Sequence, residues 1–121
     1  MDLYRLAYLL DDLVAEFVEI DGRLFVDSKG KGEAALRERI ASHASPREAQ
    51  SWMNIVLIEQ FIDEVVGDDW SFSDPSAHRI LSIYEAAWTH QIKARYPKAA
   101  FKIQRAIDEE AGDFGLRLVQ E

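Results

Sequence analysis

The chain has 121 residues, of which 48% are hydrophobic, with no cysteine and a net charge of −8. This length and composition predict one globular domain spanning residues 1–121, able to bury a core without disulfides or a structural metal. The absence of cysteine excludes thiol nucleophiles and thiolate zinc sites, and it fits the reducing conditions of the cytoplasm, where we expect the protein to reside.

Charge is arranged in blocks along the sequence. Residues 51–74 hold six acids and no base, 75–105 hold six bases and one acid, and 106–121 hold five acids and one base. An acidic protein repels phosphate, so nucleic acid is not expected as a partner, whereas a basic protein is favoured. No signal-peptide pattern and no run of roughly 20 apolar residues is present, so we expect no membrane association.

The N-terminal part predicts a helix followed by a hairpin. Apolar residues recur at three- and four-residue steps through residues 2–17, which is typical of one side of a helix. The segment 17–27 then places two β-prone runs around Asp21-Gly22, a pair that suits the positive φ angles of a tight turn. The alternative extends the helix to Ile20 and ends it at Gly22 as a C-cap; the strand-like run after Gly22 favours the hairpin.

Two helices are predicted in the middle of the chain. Good helix formers indicate a helix over residues 33–43. Ser45 and Glu48 then form a capping-box pattern, with a proline in the first turn, that starts another helix. Its apolar residues continue to Gly67, so we interpret 46–66 as one central helix of the core.

The C-terminal half begins with a second capping signal, Asp74-Pro75, which predicts a helix over residues 75–95 with one apolar stripe. Alternating apolar residues then favour a hairpin of 100–106 with 114–120, although part of this segment also fits helical spacing. The predicted fold class is α+β: a mainly helical core of about four helices with one or two β-hairpins packed at its side.

No motif for catalysis, metal binding or cofactor binding is present. The three histidines, His43, His78 and His90, have no second ligand at helical spacing. Glu59 and Asp63 lie four residues apart and could bind a divalent cation, but the same spacing is typical of a solvated helix face. Nucleophile motifs and phosphate loops are missing. We therefore predict no metal, no cofactor and no enzymatic activity.

An acidic stretch at the end of the predicted central helix is the best candidate for a binding site. It contains five acids and an indole: Glu59, Asp63, Glu64, Asp68, Asp69 and Trp70. Acids are unfavourable at the negative end of a helix dipole, so either the following basic helix or a partner should compensate them. A tryptophan among carboxylates is typical of a hot spot for a cationic partner, whereas we expect Phe72 to fold back onto the core.

These properties favour a protein-binding function. In size, acidity and lack of catalytic motifs the chain is similar to bacterial immunity proteins and antitoxins, small inhibitors that cover a basic site on a nuclease toxin. The likeness is one of class, without a family motif, so no functional residue is carried over. Two alternatives stay open. One is a small-ligand domain or enzyme with a pocket between helices and hairpins, using Glu59, His78 or His90 with Tyr84. The other is a structural homo-oligomer, such as a homodimer, that buries its unpaired hairpin edge against a copy of itself.

Overall fold

The computed structural model describes residues 2–11, 16–27 and 30–120 and has an α+β fold, as predicted. Within these ranges there are five helices and five strands. In chain order they are α1 Leu3–Leu10, β1 Glu16–Ile20, β2 Arg23–Asp27, α2 Glu33–Ala41, α3 Pro46–Met53, β3 Ile55–Leu57, α4 Glu59–Val66, α5 Pro75–Arg95, β4 Lys102–Asp108 and β5 Asp113–Val119. No helix in the described ranges is long and apolar enough to cross a membrane.

The strands form two antiparallel sheets, β1-β2 and β3-β5-β4, so the two hairpins lie in different sheets. The first hairpin turns at Asp21-Gly22, where both residues have positive φ angles of 51° and 83°. Ile20 pairs with Arg23 across this turn. The hairpin prediction is therefore confirmed, and a helix through Ile20 is excluded.

The helix predicted over residues 2–17 is too long. α1 ends at Leu10, and Phe17 already belongs to β1, while residues 12–15 lie outside the described ranges. The buried Phe17 ring meets the Trp88 ring edge-on, with 5.5 Å between the ring centroids. A contact with a residue distant in sequence thus favours a strand at this position. The spacing of neighbouring apolar residues cannot predict such a contact.

The central helix predicted over residues 46–66 is two helices separated by a strand. Its start is correct, because the Ser45 Oγ accepts a hydrogen bond from the Glu48 N–H at 3.1 Å. However, α3 ends at Met53, and β3 pairs with β5 before α4 begins. Val56 in β3 is buried, which accounts for the apolar run that resembled the interior of a helix.

The long helix α5 and the second hairpin lie close to their predicted positions. The Asp74 side chain caps α5 by accepting a hydrogen bond from the Ser76 N–H at 2.9 Å. The buried stripe of α5 consists of Ala77, Leu81, Tyr84, Trp88 and Ile92. This stripe forms the main core together with buried side chains of both sheets. β4 pairs with β5 along its whole length, with Lys102 at one end of the strand and Asp108 at the other.

Three side-chain amides join the two sheets. The Asn54 Oδ1 accepts a hydrogen bond from the Val26 N–H at 3.0 Å, and the Asn54 Nδ2 donates to the Leu24 carbonyl at 2.8 Å. The Gln50 Nε2 donates to the same carbonyl at 2.9 Å, and the Gln120 Oε1 accepts from the Leu24 N–H at 2.8 Å. These bonds take the place of a third strand at the outer edge of β2.

Candidate protein-binding surface

The fold joins two acidic segments that are distant in sequence, residues 59–69 and 108–113. The Ile58 N–H donates a hydrogen bond to the Phe114 carbonyl at 2.8 Å, which fixes the start of α4 beside the start of β5. Across the hairpin, Asp113 is the register partner of Asp108. The two segments carry nine carboxylates and no base. We call this part of the molecule the acidic end.

Glu59 lies where the two segments meet. Its side chain is partly buried in the first turn of α4, and its Oε2 atom has no hydrogen-bond partner. Burial raises the pKa of Glu59, and the nearby charges of Asp113 and Asp63 raise it further. The negative charge of this carboxylate is therefore disfavoured in the folded chain.

Trp70 is anchored within the protein. Its Nε1 donates a hydrogen bond to the Asp63 Oδ1 at 2.6 Å. Its ring stacks on Phe72 at 5.3 Å between centroids and meets Phe114 edge-on at 5.3 Å. Phe72 packs on Phe114 at 5.2 Å, so its predicted return to the core is confirmed. Trp70 thus closes the core at the acidic end while its side chain stays partly exposed.

The acids of the predicted site differ in how they are compensated. The Glu64 Oε1 lies 2.7 Å from a guanidinium nitrogen of Arg5 in α1. Within the described ranges, Asp68 and Asp69 are exposed and no base forms an ion pair with either. Arg105 of the basic block lies 3.7 Å from the Glu85 carboxylate instead. Internal compensation of the acidic loop by the helix that follows it is therefore not observed in this part of the chain.

Apolar side chains are exposed between and beside these carboxylates. Val65 and Val66, in the last turn of α4, are 55% and 54% exposed. In α1, which contacts α4 through Arg5, Leu3 and Tyr4 are 83% and 82% exposed. Apolar side chains surrounded by charged groups are the usual anatomy of a protein–protein interface.

The six residues of the predicted site thus lie on α4 and the loop after it, and the structure adds a second acidic element that the sequence prediction left out. This element is the β4–β5 turn with Asp108, Glu109, Glu110 and Asp113. The acidic block 106–121 was the available signal, but its position beside α4 depends on the register of β5 with β3.

The enzyme or small-ligand alternative uses Glu59, His78 or His90 with Tyr84. In the structure Tyr84 is buried in the core, His90 is exposed, and His78 contacts the Phe72 carbonyl through its Nε2 at 2.7 Å. Within the described residues, no group of three or more His, Asp or Glu side chains is arranged to hold a metal ion.

Comparisons of the chain with protein-family models, with curated proteins and with solved structures find no match in any of the three. A functional assignment therefore depends on the chemistry and geometry of the surfaces.

Proposed function

We propose that the protein is a small binding protein whose acidic end docks onto a basic protein, as an inhibitor of the immunity or antitoxin type would cover the basic site of a nuclease toxin. The observation that carries the proposal is the joining of two acidic segments, with nine carboxylates and no base, around exposed apolar side chains. This arrangement combines a strong local electrostatic field with an apolar surface whose burial under a partner lowers the free energy of the complex.

The two components act on different steps of binding. The carboxylates attract a cationic surface over several ångströms and speed association in a salt-dependent manner. Asp68 and Asp69 are best suited to this role, because they are exposed and have no ion-pair partner among the described residues. Burial of Val65 and Val66 under the partner would slow dissociation.

The test begins with the partner, which we expect to be recovered as a basic protein by affinity capture and to be encoded by a neighbouring gene. Association kinetics are then measured for the Asp68→Asn/Asp69→Asn double variant at several salt concentrations. We expect the association rate to fall roughly ten-fold at low salt and its salt dependence to weaken. Glu38→Gln/Glu48→Gln, which removes two exposed acids from α2 and α3, is the matched control and should change the rate much less.

Two results would contradict the proposal. One is capture of no basic protein by the full chain. The other is an association rate that responds equally to the double variant and to its control, because the acidic end would then contribute only through the net charge of the molecule. Thermal unfolding of both variants verifies that the substitutions leave the fold intact.

A further inference from the structure

A groove of about 1000 Å³ lies at the end of the β4–β5 hairpin opposite to the acidic end. Its walls come from the β1–β2 hairpin, the start of α3, the segment 95–101 and the ends of β4 and β5. The acidic end contains Asp108 at the far end of β4, whereas the groove contains Lys102 at its start. Seven strand residues separate the two sites by roughly 20 Å.

The groove is basic, although the protein as a whole is acidic. Among the described residues, its charged lining consists of one acid, Glu19, and five bases: Arg23, Arg47, Arg95, Lys98 and Lys102. We call this site the basic groove. Within the described ranges, none of the five bases forms an ion pair with a carboxylate. Five positive charges that face one cavity beside the single carboxylate of Glu19, among the described residues, are a favourable environment for a polyanion.

Arg23 is held in place at the groove wall. Its guanidinium donates a hydrogen bond to the Gln50 Oε1 at 2.8 Å. Gln50 is only 2% exposed, and its Nε2 also donates to the Gln120 Oε1 at 2.7 Å. A buried amide therefore orients the arginine before any ligand arrives, which lowers the entropic cost of binding.

Between the cations the lining is apolar. Tyr96, Phe101, Ala99 and Val119 are partly buried residues of this lining. The Tyr96 hydroxyl donates to the Phe17 carbonyl at 3.0 Å, so the ring is fixed against β1. An apolar surface surrounded by cations matches a ligand that combines an apolar body with several negative groups.

We propose that the basic groove binds a small organic polyanion, an apolar or aromatic body that carries two or more phosphate or carboxylate groups. The volume falls at the upper end of the roughly 300–1,000 Å³ of small-molecule sites. A long nucleic acid would extend from the groove toward the nine carboxylates of the acidic end, whereas a ligand of nucleotide size would not. This site is separate from the surface proposed for a protein partner.

The test titrates the full chain with two aromatic polyanions, ATP and benzene tricarboxylate, by isothermal titration calorimetry. ATP carries phosphates and benzene tricarboxylate carries carboxylates, so the two ligands show which anionic group the groove prefers. We expect at least one of them to bind, and the Arg47→Glu/Lys98→Glu variant to weaken it at least about ten-fold. The control with the same charge change, Arg39→Glu/Arg79→Glu, lies outside the groove lining and should bind as the parent does. If the first variant does not fold, Lys98→Gln/Lys102→Gln replaces it.

Two further probes test whether both parts of the ligand are needed. Adenosine lacks the charges and inorganic tripolyphosphate lacks the aromatic body, so each should bind at least about ten-fold more weakly than ATP if ATP is the ligand type. Absence of binding by both polyanions, or equal weakening by the control variant, would overturn the proposal. Tighter binding of a hexaglutamate peptide than of either polyanion would overturn it in favour of an acidic peptide.

Discussion

At the scale of single residues, Asn54 connects β2 with β5, two strands that belong to different sheets. It is fully buried, and its amide bonds both the Val26 N–H and the Leu24 carbonyl of β2. Its own carbonyl accepts a hydrogen bond from the Leu118 N–H of β5 at 2.9 Å. Replacing this side chain by a non-polar one would leave the buried Val26 N–H unpaired, whereas the Leu24 carbonyl would keep its hydrogen bond from Gln50.

We therefore expect Asn54→Ala to lower the free energy of unfolding by about 2–5 kcal/mol, because it leaves the Val26 N–H unpaired, removes one of the two hydrogen bonds to the Leu24 carbonyl and leaves a cavity. Urea unfolding measures the change. Gln104→Ala, at an exposed amide of β4, is the control and should stay within about 0.5 kcal/mol of the parent. An equal effect of both substitutions would show that the Asn54 bonds do not hold β2.

Glu59 gives the protein a predicted dependence of stability on pH. Because burial raises its pKa, the folded chain binds this proton more tightly than the unfolded chain does. The protonated group therefore contributes its full amount to the free energy of unfolding below its ordinary pKa, and this contribution is lost as the pH rises through the raised pKa. Once ionised, the carboxylate lies near Asp63 and Asp113 and destabilises the fold.

Glu59→Gln should accordingly raise the free energy of unfolding at pH values above the raised pKa and flatten its fall as the pH rises above about 4. The amide has nearly the shape of the carboxyl group but carries no charge at any pH. Urea unfolding at a series of pH values provides the measurement, with the exposed Glu38→Gln as the control. The same pH slope in both variants would remove Glu59 as the titrating group.

At the scale of elements, the sequence predicts the features that depend on neighbouring residues and does not predict those that depend on pairing between distant strands. Caps and turns were found because their chemistry is local: Ser45 and Asp74 each cap a helix start, and Asp21-Gly22 forms the first turn. The break between α3 and α4 was missed because β3 exists only through its pairing with β5. An apolar run of this length fits a buried helix and a buried strand equally well.

The same distinction between local and long-range features applies to the candidate site. The sequence can predict one acidic site from residues that are close along the chain: Glu59, Asp63, Glu64, Asp68, Asp69 and Trp70. The second acidic turn and the basic groove were missed because each depends on elements brought together by the fold. The blocks of charge in the sequence indicated that opposite fields exist, but not which blocks would share an end of the molecule.

The close approach of β3 to β5 depends on Gly115. A Cβ atom at this position would collide with the Val56 carbonyl oxygen and would lie 2.8 Å from the Leu57 Cα, both of them backbone atoms. Backbone atoms cannot move aside as a flexible side chain can, so β3 itself would have to shift. The glycine is thus required by contact with a neighbouring strand and not by an unusual backbone angle.

We expect Gly115→Ala to destabilise the fold by about 1–3 kcal/mol, as overpacking in a well-packed interior does. Hydrogen exchange should show the loss first in β3, whose three residues all pair with β5. An unfolding midpoint and exchange rates equal to those of the parent would show that β3 tolerates the shift and that the tight approach is not structurally important.

At the scale of the whole molecule, the fold separates charges that alternate along the chain. The acidic end and the basic groove lie at opposite ends of the β4–β5 hairpin, and the net charge is −8. A basic partner would therefore be oriented toward one end and a small anion toward the other. The cost of this arrangement is repulsion among the nine carboxylates at the acidic end, which the folded state concentrates.

Salt should consequently stabilise the protein at neutral pH. Raising the ionic strength from about 0.01 M to about 0.1 M shortens the screening length from roughly 30 Å to roughly 10 Å, which weakens repulsion across the acidic end. We expect the free energy of unfolding to rise by about 1 kcal/mol over this range.

Two variants test whether the acidic end is the source of this rise. In Asp68→Asn/Asp69→Asn the rise should shrink, because two of the crowded charges are gone. In Lys98→Gln/Lys102→Gln it should not shrink, because the acidic end is intact and the net charge is more negative. A fall in the free energy of unfolding with salt would mean that attractive ion pairs such as Arg5–Glu64 outweigh the repulsion among the carboxylates. The electrostatic field of the acidic end would then be weaker than a basic partner requires.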